Sequence, residues 1–255
     1  MELSNSQPSI IYVDQHDHRL ECSLRDIAEL KPSTLTPVRK VPAYRKQRHL
    51  PGLYWFSTTG EHVIYESRLE MKALMMLDFD PHVAGVVAQP FAMVFASSGK
   101  GEKSKMHIPD YLAHCRDGAN RVIDVKPQEK ASKPDNRSVF EATRRACDTV
   151  GWGYEVVTGH DPVLFANVEW LSGFRRTPPL VEDLASLVVE ATRGKSGRRF
   201  GELMRMFQGR TPQVLVRPIV LHLLWTQVLS ADLFAPLSEE TIVYTGAGKE
   251  SVGGP

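Results

Sequence analysis

Two aspartates and a lysine carry the chemistry most plainly written in this sequence. HIPDYL (107–112) and VIDVKP (122–127) read as neighbouring strands, placing carboxylates at Asp110 and Asp124 and an ammonium group at Lys126. Side chains in a strand alternate faces, so Asp124 and Lys126 are expected to project together while Val125 turns into the core. An Asp followed, after a short turn, by Asp-x-Lys suits a hard divalent cation held on oxygen ligands beside a lysine. The lysine can orient or help deprotonate a water, or offset charge developing on a phosphate. Phosphodiester hydrolysis is the reaction this set suits. Each residue also has a plain structural reading. Asp110 could be a strand-end aspartate bonding a local amide, and Asp124 with Lys126 an exposed ion pair on a sheet face. Against the second stands the cost of an aspartate between Ile123 and Val125 in a buried strand, unless it is paired or metal-bound.

The flanking elements must hold these groups in place. RDGAN (116–120) supplies Asp-Gly and Asn turn chemistry between the two strands. Upstream, LYWFSTTGEHVIYES (53–67) alternates around Thr58-Thr59-Gly60 as a hairpin. Ser67 opens a helix whose Leu69, Ala73, Met76 and Leu77 share one apolar face, and Pro81 stops it. Ser67-x-x-Glu70 reads as a capping box, with Glu70 at N3 bonding back to the N-cap amide; Glu66 sits just outside the helix. VAGVVAQPFAMVFA (83–96) reads as one or two buried strands, interrupted at Gln89-Pro90. SVFEATRRACDTVGW (138–152) reads as a helix carrying Phe140, Arg144 and Cys147, ended by Gly151, and YEVVTG (154–159) as the next strand. A strand–helix–strand crossover of this kind puts part of the sheet in parallel pairing, so the class is α/β, a mixed sheet flanked by helices.

The order Glu, Pro-Asp, Asp-x-Lys resembles the PD-(D/E)xK nuclease core. The strings around it are more specific. SRLEMKALMMLDFDPHVAGVVAQPF (67–91), PDYL (109–112), DVKP (124–127) and NVEWL (167–171) together resemble the TnsA-like endonuclease subunit of heteromeric transposases, over residues 48–176. That resemblance implies a restriction-endonuclease-like fold and a site made of Glu70, Asp110, Asp124 and Lys126. It implies Mg2+, replaceable by Mn2+, with Asp110 and Asp124 as direct ligands and Glu70 on a second metal or a metal-bound water. It implies double-stranded transposon-end DNA as substrate and hydrolysis at the 5′ side of each end. A DDE-type, TnsB-like transposase would handle the 3′ ends and joining, with an AAA+ regulator as a further partner. The best-known member has glutamine where Asp124 stands; the aspartate here gives the commoner nuclease pattern. A stand-alone restriction- or repair-type nuclease of the same core, and a catalytically idle DNA-binding adaptor subunit, are the alternative readings.

The remainder is less specific. At 255 residues with a net charge of +1, the chain can bury a proper core but exerts no global attraction on DNA, so contacts must come from local basic patches. One is Arg39, Lys40, Arg45, Lys46 and Arg48 in a proline-rich arm, read either as a solvated linker or as a DNA contact. A second is Arg193, Lys195, Arg198 and Arg199. Three cysteines, Cys22, Cys115 and Cys147, form neither a disulfide framework nor a zinc pattern. Without a signal peptide or apolar span, a cytoplasmic location is the expectation, and the resemblance implies a bacterial, nucleoid-associated one. SIIYV (9–13) and RLECSL (19–24) suggest a hairpin, and His16 and His18 in its turn lack further ligands at supporting spacing. The expected organisation is an N-terminal hairpin and basic arm over 1–50, a nuclease core over 51–176, and a C-terminal domain over 178–248. The last would have three helices, with Pro218 as the first residue of the third, and a terminal hairpin, the parts of a winged helix. A small helical domain packing on a protein partner is the other reading of it.

Overall fold

The computed structural model describes residues 7–39, 51–97, 104–176, 182–194, 196–208 and 213–246. They fall into two compact units: Met1–Leu77 with His82–Gly159, and Asp78–Pro81 with His160–Pro255.

In the first unit, β1 (Ser9–Asp14) and β2 (Arg19–Ser23) form the expected antiparallel hairpin. Ser23 then caps α1 (Leu24–Glu29) in a capping box with Asp26, and β3 (Leu35–Thr36) returns to pair with β1. A second hairpin joins β4 (Gly52–Phe56) to β5 (Glu61–Tyr65), and Gly60 in its turn takes φ +72°, a conformation side chains disfavour. Helix α2 (Arg68–Phe79) follows, then β6 (Val83–Ala88) and β7 (Phe91–Phe95). The chain continues through β8 (Lys105–His107), β9 (Tyr111–Cys115), β10 (Asn120–Val125), the single turn α3 (Gln128–Ala131), α4 (Pro134–Asp148) and β11 (Gly153–Val157).

Two sheets result. One runs β2-β1-β7-β8 with β3 on β1; the other runs β11-β10-β9-β6. In the second, β10 pairs parallel with β11 across α4 and antiparallel with β9, so it is the mixed sheet the crossover demanded. The hairpin expected as part of a separate segment over 1–50 packs instead within this unit, while residues 40–50 of the expected arm lie outside the described residues. β1 pairs with β7, and Ile10, Leu24 and Ile27 are buried in one core with Phe91, Leu112, Val122 and Ala146. The apolar side chains of this hairpin therefore have their partners inside the first unit.

The segment 107–115 is not a single strand. His107 ends β8 in one sheet and Tyr111 opens β9 in the other. Pro109, which cannot donate to a ladder, lies in the crossing, and so does Asp110. Gln89-Pro90 makes the matching exchange between β6 and β7, with Gln89 buried at φ +47°.

The second unit contains α5 (Pro162–Ser172), α6 (Glu182–Thr192), β12 (Arg198–Arg199), α7 (Phe200–Met206), α8 (Gln213–Trp225), β13 (Leu229–Ser230) and β14 (Ile242–Thr245). Its strands are ordered β12-β14-β13. The units divide at Gly159, not near Arg175–Pro179, and α5 groups with the C-terminal elements. Packing explains this: Val168 and Leu171 are wholly buried, α5 packs on α8, and Asn167 fastens the segment after β13. The Asn167 amide donates to the Leu233 and Ala235 carbonyls and accepts from the Leu237 N–H. Two local expectations are also corrected. Arg198 and Arg199 pair with β14 as a strand before the helix begins, and Pro218 lies inside α8 as its sixth residue. There it removes the N–H that would bond the carbonyl of residue 214.

Candidate active site

Asp110 and Asp124 meet where the β9–β10 ladder ends. Their strands pair Ile123 with Tyr111 and Asn120 with His114, and one step further along this register sets Asp110 opposite Asp124. The turn that joins them is tight: Ala119 N–H donates to Asp117 Oδ1 at 2.9 Å, and Gly118 takes φ +88°. The Asp110 side chain completes the ladder in place of backbone, accepting from Val125 N–H at 2.6 Å on Oδ2. Its carbonyl accepts from Gln89 N–H at 2.8 Å, which ties it to β6 as well. Both expected structural readings are thereby tested. Asp110 does bond a local amide, but Asp124 is 1% exposed and so no surface ion pair.

Asp124 holds two donors on one oxygen. The Tyr154 hydroxyl donates to Oδ2 at 2.5 Å, and His107 Nε2 lies 2.9 Å from the same atom, where against a carboxylate acceptor the ring nitrogen is the donor. Neither residue was expected at the site. His107 sits three positions before Asp110 in the HIPDYL string, a signal that could have flagged it. Tyr154 follows from parallel pairing, which sets Val122 opposite Tyr154 and so puts Tyr154 on the face of Asp124.

Electrostatics tie the cluster together. Asp110 is raised from 3.8 to about 7, by burial first and then by Asp124, with Glu70 adding to the rise and Val125 N–H and Lys126 opposing it. Two carboxylates disfavour each other's charge this way when no cation lies between them. Tyr154 is pushed well up by burial and then by the Asp124 charge, so it stays a protonated donor. Lys126 is half-buried, its backbone N–H continuing the pairing to Val157.

Glu70 is placed differently from the aspartates. Its Oε2 accepts from Glu66 N–H at 2.7 Å, its Oε1 accepts from the Ser67 hydroxyl at 2.8 Å, and its own N–H donates to Ser67 Oγ at 3.2 Å. This is a capping arrangement shifted by one residue, with the amide of Glu66 in place of that of Ser67. Glu66 in turn accepts from the Gln89 amide and pairs with Arg39 at 2.6 Å.

Among the described residues, no group of three or more His, Cys, Asp or Glu is arranged to hold a metal ion. Glu70, Asp110 and Asp124 do not form such a group, although the Glu70 charge reaches Asp110. The donor set fits a cation more narrowly, as a pair. Magnesium commonly binds through one or two carboxylates plus substrate phosphate and keeps several waters. Asp110 and Asp124 each retain Oδ1 without a hydrogen bond among the described residues, and their mutual repulsion is what a cation would relieve.

Of the expected DNA contacts, Lys40, Arg45, Lys46, Arg48 and Lys195 lie outside the described residues. Arg193 pairs with Glu190 at 2.9 Å and Arg199 with Glu240 at 3.2 Å. Arg198 Nε donates to the Ala191 carbonyl at 2.7 Å, serving the end of α6. Exposed pairs of the first kind contribute roughly 0–1 kcal/mol each, so phosphate can compete for those two arginines.

An α/β unit with opposed aspartates and a neighbouring lysine has the makings of a phosphodiesterase site. Residues 80–159 match the model of the TnsA-like endonuclease N-terminal family. The match ends at Gly159, where the first unit ends, and it contains Asp110, Asp124, Lys126, His107 and Tyr154; Glu70 lies upstream of it. No curated protein matches the chain.

Proposed function

We propose that this chain is the DNA endonuclease subunit of a heteromeric transposase, hydrolysing the 5′ strands at transposon ends during cut-and-paste transposition. The observation that carries it is the Asp110/Asp124 pair beside Lys126 inside the segment that matches the TnsA-like endonuclease family. Asp110 and Asp124 would hold Mg2+ or Mn2+, and Glu70 acts through its charge and the α2 terminus. The bound cation supplies Lewis acidity and a more acidic water. Lys126 orients the attacking water or offsets charge on the phosphoryl oxygens. A DDE-type transposase subunit cuts the 3′ ends and, with an AAA+ regulator, selects the site. No helix among the described residues is long and apolar enough to cross a membrane, which suits a DNA-associated role.

The second unit supports a winged-helix-like reading through its order, helix–strand–helix–helix–strand–strand from α6 to β14. One observation favours protein docking over groove reading. Val216, Ile219, Val220, Leu221, Leu223, Leu224 and Trp225 are all buried, so α8 is occupied on most sides by its own unit. A helix that reads the major groove keeps a face open.

The test is cleavage of transposon-end duplexes by the full chain, with and without the transposase, in Mg2+ and in excess chelator. Nicking at the 5′ side that needs both cation and partner is expected. Full cleavage in chelator would remove the metal role, and sequence-specific cutting by this chain alone would favour an independent nuclease.

A further inference from the structure

The two donors on Asp124 come from different sheets. Tyr154 stands on β11, next to the strand of Asp124, and His107 ends β8 at the edge of the other sheet. Each donor is itself held. The Arg144 guanidinium lies 5.2 Å from the centroid of the Tyr154 ring, and its Nη1 donates to the Tyr154 carbonyl at 3.4 Å. The Phe140 ring meets that of His107 edge to face, with centroids 6.4 Å apart. Phe140 and Arg144 are four residues apart on α4 and therefore share a face. One helix backs both donors, and both donors converge on one oxygen.

Compensating a buried carboxylate needs hydrogen bonds, but two on a single oxygen also fix the rotation of the carboxylate plane. Oδ2 is tied to His107 and Tyr154, and Oδ1, which makes no hydrogen bond among the described residues, is the atom left for a ligand. Magnesium and its substitutes demand near-octahedral geometry, so a carboxylate free to turn between one- and two-oxygen binding would hold them poorly. We propose that His107 and Tyr154 are positioning residues that present Asp124 to the cation through Oδ1 alone. This rests on the reading of Asp110 and Asp124 as the cation-holding pair.

The experiment measures Mn2+ binding to the full chain without DNA, by electron paramagnetic resonance, beside duplex binding in chelator and thermal melts. Tyr154→Phe keeps the ring and its contact with Arg144 but loses the hydroxyl. His107→Leu loses the donor, and His107→Gln restores an amide donor. Tyr154→Phe and His107→Leu are each expected to weaken Mn2+ binding roughly 10–100-fold, with duplex binding in chelator unchanged, and His107→Gln to recover most of the loss. Asp124→Asn is the control and should abolish binding. If Asp124→Asn loses Mn2+ while Tyr154→Phe and His107→Leu, folded by their melts, bind like wild type, the positioning role is overturned and the pair stands. If the wild-type chain binds no Mn2+, or Asp124→Asn binds normally, the pair reading fails and the positioning role fails with it. The two substitutions act at separate strands, so misfolding of one leaves the other as the deciding variant.

Discussion

At the scale of single residues, Asp110 yields a prediction with a definite sign. Its carboxyl titrates at about 7 in the folded chain against an ordinary 3.8. Between those values the folded state keeps a proton that the unfolded state has released, so stability falls as pH rises. The contribution is fully present below about pH 4 and is lost as pH passes through about 7. Asp110→Asn removes this titration. In chelator, its stability relative to wild type should therefore improve steadily from pH 4 to about 7 and then level off. Denaturant melts across pH check this, and a pH-independent difference would contradict it. Lys126→Ala should abolish cleavage without lowering the melting temperature. Asp124→Ala behaves differently, because Tyr154 and His107 lose their acceptor, at a cost of about 1–3 kcal/mol in stability. Asp124→Asn keeps an oxygen for those donors and separates chemistry from folding.

Helix α2 decides a question of its own. Both oxygens of Glu70 are bonded at the helix start, yet its charge still raises Asp110. Glu70→Gln retains an acceptor for Glu66 N–H, so a purely capping role predicts wild-type melting and wild-type cleavage. A catalytic role predicts wild-type melting with cleavage lost. Ser67→Ala should cost about 0.5–2 kcal/mol in melts, because it removes the cap without touching the carboxylate. Normal cutting by Glu70→Gln would move the role to Glu66, whose Oε1 already takes Gln89 and Arg39.

For the whole molecule, the N-terminal hairpin belongs to the first unit. Ile10→Ala should destabilise that unit by about 2–5 kcal/mol, although the residue is far in sequence from any catalytic group. An unchanged denaturation midpoint would restore the hairpin to an independent segment. DNA affinity follows a different logic, since a chain with net charge +1 must bind through patches. Replacing Arg45, Lys46 and Arg48 with alanine should flatten the salt slope on duplex DNA by about 0.9 per lost phosphate contact, without changing which sequences bind. Anisotropy titrations across salt concentrations read this directly.

What the chain alone determines here is local. Alternation and a DG turn specify the β9–β10 hairpin, the Ser67–Glu70 spacing specifies the start of α2, and the helix between β10 and β11 demands parallel pairing. Asp124 and Lys126 are two apart in one run, so their shared face needs no partner to be seen. Tertiary structure decides what depends on distant segments. Gln89-Pro90 and Pro109 are visible punctuation, but which sheet each flanking strand joins depends on β1, about 80 residues upstream of β7. The donors of Asp124 are of the same kind: His107 is 17 residues from it and Tyr154 is 30. Periodicity records which face of a strand is apolar and carries no record of which strand will lie alongside. A site completed from two sheets is therefore half legible in the sequence, and its other half exists only once the sheets have formed.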